Sequence, residues 1–308
     1  MKTLVTTYTN PDIDGTACSY AYAEFLTKHK EDATAAVFGK PLREVDFVLK
    51  TFNIPNQKNA DNIITKVQEI ILVDTSSVKG LSPKIELSKV KEVIDHREVT
   101  EAHAFKNAKI QIELVGSAAT LIAEKFHKSK TLISKESAAL LFSAIISNTV
   151  NFQAKVTTQR DKNMAKWLKT QFTCPEYFVR NMFADKSQLS SLKNACQEEL
   201  KEFEVNKTKI GISQLELVGV EEFVNKNKNE LIKIIKDLQK EKAIENIFLT
   251  CVDIEKAYNV LLATEKTTQR FLEKAMQVKF THDIAKTNKI FMRKEIVPLL
   301  KEVIESGH

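Results

Sequence analysis

Several absences narrow what this 308-residue chain can be. There is no CxxC pair: the four cysteines, Cys18, Cys174, Cys196 and Cys251, lie far apart. That spacing argues against a zinc ribbon or a disulfide scaffold and for reduced, mostly buried thiols in a cytoplasmic protein. No apolar stretch approaches the ~18 residues of a membrane span. The N-terminus, MKTLVTTYTNPDIDG, meets acids too early for a signal peptide and reads as a first strand. The formal charge of +6 comes from lysines dispersed among glutamates, with no basic stripe interleaved with aromatics, so no nucleic-acid partner is expected. Internal repeats and low-complexity tracts are missing as well. At 43% apolar content the chain can fill two ordinary cores.

What is present is a set of acids at the ends of apolar runs. Asp12 and Asp14 follow Lys2–Thr7, Asp74 follows Ile70–Val73, and Asp95, His96 and Arg97 follow Val93–Ile94. Each run reads as a buried parallel strand, so these groups are expected to converge at one carboxyl edge of a sheet. Carboxylates and an imidazole in one crevice are donors for a hard or borderline divalent metal. Each motif also has an ordinary reading: Asp-x-Asp as a helix cap, Asp74 as a turn residue, His96 as a hydrogen-bonded loop histidine. Three strand ends each delivering a ligand-type residue is the argument for a site.

Residues 1–185 alternate apolar runs with helical patterns, which predicts a doubly wound α/β domain with a mostly parallel sheet. Helices are expected over Thr16–Lys28, Ser117–Phe126 and Ser137–Ile146. Gly116 to Ala119 at a helix start could admit a phosphate or serve close helix–sheet packing. A linker is expected at 186–198. Residues 199–308 predict a smaller mixed α/β domain: strands Lys209–Leu217, Asn246–Asp253 and Tyr258–Thr264, a helix Val220–Lys242, and a closing helix after Pro298. His29, His103, His127, His282 and His308 read as ordinary surface or loop residues.

The ordered series NPDID, ILVD, VIDHR, ELVGSAATLI and FSAIISNT resembles the DHH phosphoesterase superfamily, in its manganese-dependent inorganic pyrophosphatase and exopolyphosphatase branch. Past the linker, LKEFEVNKTKIGISQLE looks like the opening of that branch's C-terminal domain and MRKEIVPLL like its SRKKQVVP phosphate signature. The resemblance implies an active site in the cleft between two domains. It also implies Mn²⁺, with Mg²⁺ or Co²⁺ as substitutes, two per chain if both sites are competent. The implied metal positions are Asp12, Asp14, Asp74, His96 and Asn148, with Asp95 orienting His96 and Tyr8 standing where the family has a histidine. Arg97, in place of a second histidine, would clamp a phosphoryl oxygen and resembles the DHR of prune-like members. Lys201, Arg293 and Lys294 would hold phosphate, although Lys201 reads equally as a surface lysine.

A phenol is a poor ligand at neutral pH, and Asn148 in place of aspartate removes a charge, so metal loading is expected to depend on substrate. The implied reaction is hydrolysis of a phosphoanhydride bond, in pyrophosphate or short polyphosphate, by water that the metals activate, with Asp74, His96 and Arg97 at the reacting centre. The rival is a weak or inactive pyrophosphatase-like protein that binds phosphate or polyphosphate in a regulatory or partner-binding role. A nucleotide- or oligonucleotide-cleaving relative would carry a glycine-rich C-terminal signature, which is absent. The resemblance also implies a homodimer through the N-terminal domain.

Overall fold

The computed structural model describes residues 2–97, 101–187 and 191–306. The chain divides into two compact units, Met1–Met182 and Phe183–His308.

The first unit runs β1 (Thr3–Thr6), α1 (Ile13–Lys28), β2 (Ala33–Val37), α2 (Arg43–Thr51), β3 (Lys58–Asn59), β4 (Glu69–Val73), β5 (Val90–Asp95), β6 (Lys109–Ile112), α3 (Ala118–Ser129), α4 (Lys135–Asn148) and α5 (Gln159–Leu168). Its strands lie in the order β3-β2-β1-β4-β5-β6, every neighbouring pair parallel. Leu4 and Val5 of β1, Ile70 to Val73 of β4, and Val93 and Ile94 of β5 have no exposed surface, which is why these strands read as unbroken apolar runs. Burying each such side chain contributes roughly 1.5–3 kcal/mol. α1 and α3 pack on the sheet, and Phe38, Ile64, Val67, Ile85 and Phe105 join Leu4, Ile70, Leu72 and Val93 in one apolar cluster.

The strand order reverses between β1 and β4, and an open parallel sheet leaves a crevice at the carboxyl ends of its strands at such a point. The first helix begins at Ile13, three residues before the expected start, because the Asp12 carboxylate caps it by accepting from the Asp14 and Gly15 amides. β2 (ATAAV), β3 (KN) and β6 (KIQI) are short or polar and carry no such apolar run.

α6 (Phe178–Lys186) leads into the second unit, which contains α7 (Leu192–Glu198), β7 (Leu200–Val205), β8 (Thr208–Leu217), α8 (Val220–Lys242), β9 (Asn246–Asp253), β10 (Tyr258–Ala263), α9 (Lys266–Met276), β11 (Ile284–Lys286) and α10 (Arg293–Glu305). Its sheet order is β11-β10-β9-β8-β7, with β8 and β9 parallel across α8 and the other pairs antiparallel. Separate apolar clusters form around α8 and around α9 with α10.

Of the expected linker 186–198, residues 188–190 lie outside the described ones, and α7 occupies 192–198 with Cys196 buried in the α8 cluster. The closing helix starts at Arg293 and not after Pro298, which sits inside it. The proline forgoes only its own i→i−4 bond, and the Glu295 carboxylate fixes the start by accepting from the Met292 amide at 2.9 Å. The reading of His308 lies outside the described residues. Among those residues no helix is long and apolar enough to cross a membrane.

Candidate metal centre

β1, β4 and β5 end at adjacent positions, and the residues just beyond them meet. Asp74 leaves β4 with φ of +55°, a left-handed conformation that aspartate tolerates better than most residues, while its amide donates to Ile94 O at 2.8 Å. This turn brings Asp74 Oδ1 to 3.4 Å from His96 Nε2, and Asp14 Oδ2 lies 3.8 Å from the same nitrogen. Asp14, Asp74 and His96 are the one set of three histidine, cysteine or carboxylate residues, among the described residues, whose donor atoms lie within 4.8 Å of one another.

The imidazole is oriented by its other nitrogen. His96 Nδ1 lies 2.9 Å from the Val115 carbonyl, so that nitrogen carries the proton and Nε2 faces the two carboxylates. Asp95 acts on the backbone instead, accepting from the His96 amide at 2.7 Å while Ser76 donates to its other oxygen.

Asp14 is fully buried, and its carboxylate receives Ser117 Oγ, Ala118 N and Ala119 N, each at 2.9 Å, together with the Cys18 thiol at 3.4 Å and the Asn148 amide. Two of those donors are first-turn amides of α3, so the helix start serves as an anion site for a protein carboxylate. Gly116, just before it, is held by Asp161, which accepts from its amide at 2.9 Å and also from Thr120 and Thr158. Sequence reasoning missed Asp161, although Thr158-x-x-Asp161 is a legible capping box.

Asn148, expected as an oxygen ligand, turns its amide nitrogen to Asp14 Oδ2 and is a donor there. Asp12 stays outside the three-residue cluster; its Oδ1 accepts from Asp14 N at 2.8 Å and Gly15 N at 3.1 Å. Tyr8 Oη accepts from the Asp12 amide at 3.2 Å. Arg97 donates to the Asp74 carbonyl at 3.1 Å and lies 5.7 Å from the centre of the Tyr8 ring.

The electrostatics are those of crowded carboxylates. Burial and the charge of Asp14 push Asp74 well above the carboxylate range, opposed by its hydrogen bond to His96. Burial lowers His96, but the Asp74 hydrogen bond and the Asp14 and Asp74 charges win, and its pKa rises to about 10. Burial, then Asp14, raises Asp12, and burial with Asp12 and Asp74 holds the Tyr8 phenol protonated.

A divalent ion fits this donor set. Asp74 Oδ1 is buried and faces His96 Nε2 at 3.4 Å and Arg97 Nη2 at 4.0 Å, with no closer donor, and a buried carboxylate oxygen so weakly engaged is open to a cation. Two carboxylates and an imidazole suit Mn²⁺.

In the second unit, Lys201 pairs across the sheet with Ile212, whose carbonyl accepts from Arg293 Nη1 at 3.2 Å. The Arg293 amide donates to Gln214 Oε1 at 2.6 Å, and burial lowers the Lys294 pKa. Arg293 and Lys294 open α10.

The model of the DHH family N-terminal domain matches residues 2–145, and the DHHA2 domain model matches 180–303. A Clostridium acetobutylicum protein named probable manganese-dependent inorganic pyrophosphatase is 29% identical over 98% of this chain and 97% of its own length. A Bacillus mycoides protein of the same name is 28% identical over 99% of each. Among solved structures, a Methanococcus jannaschii protein assigned by name to the family II inorganic pyrophosphatases aligns with TM-score 0.70 and 29% identity, over 98% of this chain and 99% of its own. An exopolyphosphatase-related protein from Bacteroides fragilis shares the fold at TM-score 0.51 and 13% identity.

Proposed function

The chain joins a DHH-family N-terminal domain to a DHHA2 domain, and from that premise we propose that it hydrolyses the phosphoanhydride bond of inorganic pyrophosphate or short polyphosphate. The observation that carries the reading is the meeting of Asp14, Asp74 and His96 at the strand ends, with one buried carboxylate oxygen left without a close hydrogen bond. These three residues would hold the divalent ion, Mn²⁺ by analogy with the names of its relatives. When bound, such an ion polarises phosphoryl oxygens and acidifies water.

The protein's own groups do the rest. The Val115 carbonyl keeps His96 Nε2 turned to the carboxylates, and the α3 amides fix Asp14. Arg97, half-exposed and anchored on the Asp74 carbonyl, offers a guanidinium to a phosphoryl oxygen. An arginine stays charged at any working pH, so the departing phosphate gains electrostatic stabilisation from it rather than a proton. Lys201 of β7 and Arg293 and Lys294 at the start of α10 are proposed to bind phosphate, and the reach of the Arg293 guanidinium to the carbonyl of Ile212, the cross-strand partner of Lys201, supports this.

Phosphate release from pyrophosphate and tripolyphosphate, measured with Mn²⁺, Co²⁺ or Mg²⁺, tests the reading. Activity is expected with Mn²⁺ and should fall on the order of 10³-fold in Asp74→Ala, ~4 kcal/mol of barrier. Turnover that survives Asp74→Ala would refute ion-dependent hydrolysis. The absence of turnover with every metal would favour the binding-only role, to which Asn148 acting as a donor toward Asp14 lends support.

The four unpaired cysteines support a cytoplasmic location, which disulfide-linked species isolated from cells would oppose. The β6 edge with exposed Ile110 and Leu114 supports a homodimer through the first unit. A monomer by sedimentation at micromolar concentration would count against it.

A further inference from the structure

We infer that this chain holds a single divalent ion, at Asp14, Asp74 and His96, and that Asp12 and Tyr8 form a lock on the start of α1 instead of a second ion position. The inference rests on the ion site proposed above and goes beyond it in fixing the stoichiometry.

Asp12 is the carboxylate that a second ion would need, and it lies outside the Asp14, Asp74 and His96 cluster, with one of its oxygens engaged by the start of α1. Its Oδ1 takes the Asp14 and Gly15 amides at 2.8 and 3.1 Å, the two-pronged geometry of a helix cap. Its own amide donates to Tyr8 Oη at 3.2 Å. Tyr8 Oη is thus occupied by the Asp12 amide, and a phenol is a weak oxygen donor to a divalent ion.

Charge points the same way. Arg97 lies 5.7 Å from the Tyr8 ring and within 4.0 Å of Asp74 Oδ1, which places a fixed positive group on that flank. A second cation there would share Asp74 with the first and be repelled by the guanidinium. Finally, Asp74 Oδ1, the one buried carboxylate oxygen without a close hydrogen bond among the described residues, faces His96 at 3.4 Å within the first donor set and not Asp12.

The test is a count of bound Mn²⁺ on the metal-free full-length chain, by calorimetric titration with elemental analysis after gel filtration and by electron paramagnetic resonance. Wild type is expected to bind one ion per chain, with no spin coupling between manganese centres. Tyr8→Phe should leave the count at one, since the hydroxyl is not a ligand. Asp12→Asn, which keeps a good helix cap, should weaken binding by less than the ~10-fold that even loss of a ligand's hydrogen-bonding partner produces. Tyr8→His should admit a second ion, and a count still at one in that variant overturns the role given to Tyr8. Two ions or coupled spins in wild type, or an ion lost in Tyr8→Phe or Asp12→Asn, overturns the inference. Zero ions in wild type would instead overturn the proposed function.

Discussion

At the scale of single residues, His96 is pulled two ways, and its pH behaviour exposes the site. Burial disfavours the imidazolium, yet Asp74 and Asp14 raise the pKa to about 10 in the metal-free protein. The folded value lies above the ordinary ~6.5. The stabilisation from the charged ring is therefore complete below about pH 6.5 and lost as pH climbs toward 10. An ion, however, takes Nε2 only from the neutral ring, so ion binding must release this proton. Between pH 7 and 9, melting of the metal-free protein should fall while Mn²⁺ affinity rises about tenfold per pH unit. Titration calorimetry in buffers of different ionisation enthalpy would measure both the affinity and the proton released. An affinity flat across this range would remove His96 from the ligand set.

At the scale of elements, the determining feature is the start of α3. Its amides are aimed at Asp14 only because Gly116 is held in place by Asp161, which also caps α5 through Thr158. A Cβ at Gly116 would lie 2.5 Å from Thr149 Cγ2 and 3.0 Å from Asp161 Oδ2, so no other residue fits without moving this joint. Asp161 touches neither the ion site nor its donors directly, yet it sets the position of one of them. Asp161→Asn should weaken Mn²⁺ binding about 10- to 100-fold in a protein that still melts cooperatively. Since Asp161 donates nothing to the ion, the dependence of binding on pH should keep its slope while the affinity drops. A folded variant with undiminished affinity would show that Asp14 is held by other means.

At the scale of the whole molecule, the chemistry is divided between two separately built sheets. Every proposed ion donor belongs to the parallel sheet unit, and Lys201, Arg293 and Lys294 belong to the mixed one. The two sets should therefore separate in kinetics: Lys294→Gln is expected to raise KM for pyrophosphate about tenfold, ~1.4 kcal/mol, while the Mn²⁺ affinity stays put. A matching loss of metal binding in that variant would mean that the two functions are not divided in this way.

The sequence alone determined the two-unit α/β plan and the convergence of Asp14, Asp74 and His96. Strands buried on both faces must be apolar throughout, and in a parallel sheet the polar residues that follow them emerge on one edge. Val220–Lys242 and Asn246–Asp253 were legible to the residue for the same reason, each having a strong period and clear ends. β7, whose LKEFEV is polar, was legible only as a resemblance. Tertiary structure decided what each polar atom faces. Asp12 caps a helix, Asn148 donates to Asp14, Asp95 holds a backbone amide, and Asp161 positions a loop 45 residues away in sequence. A carboxylate or amide has the same pattern signature whether it holds an ion or an N–H group. Only the three-dimensional placement of its donors, set by packing between distant segments, tells these roles apart.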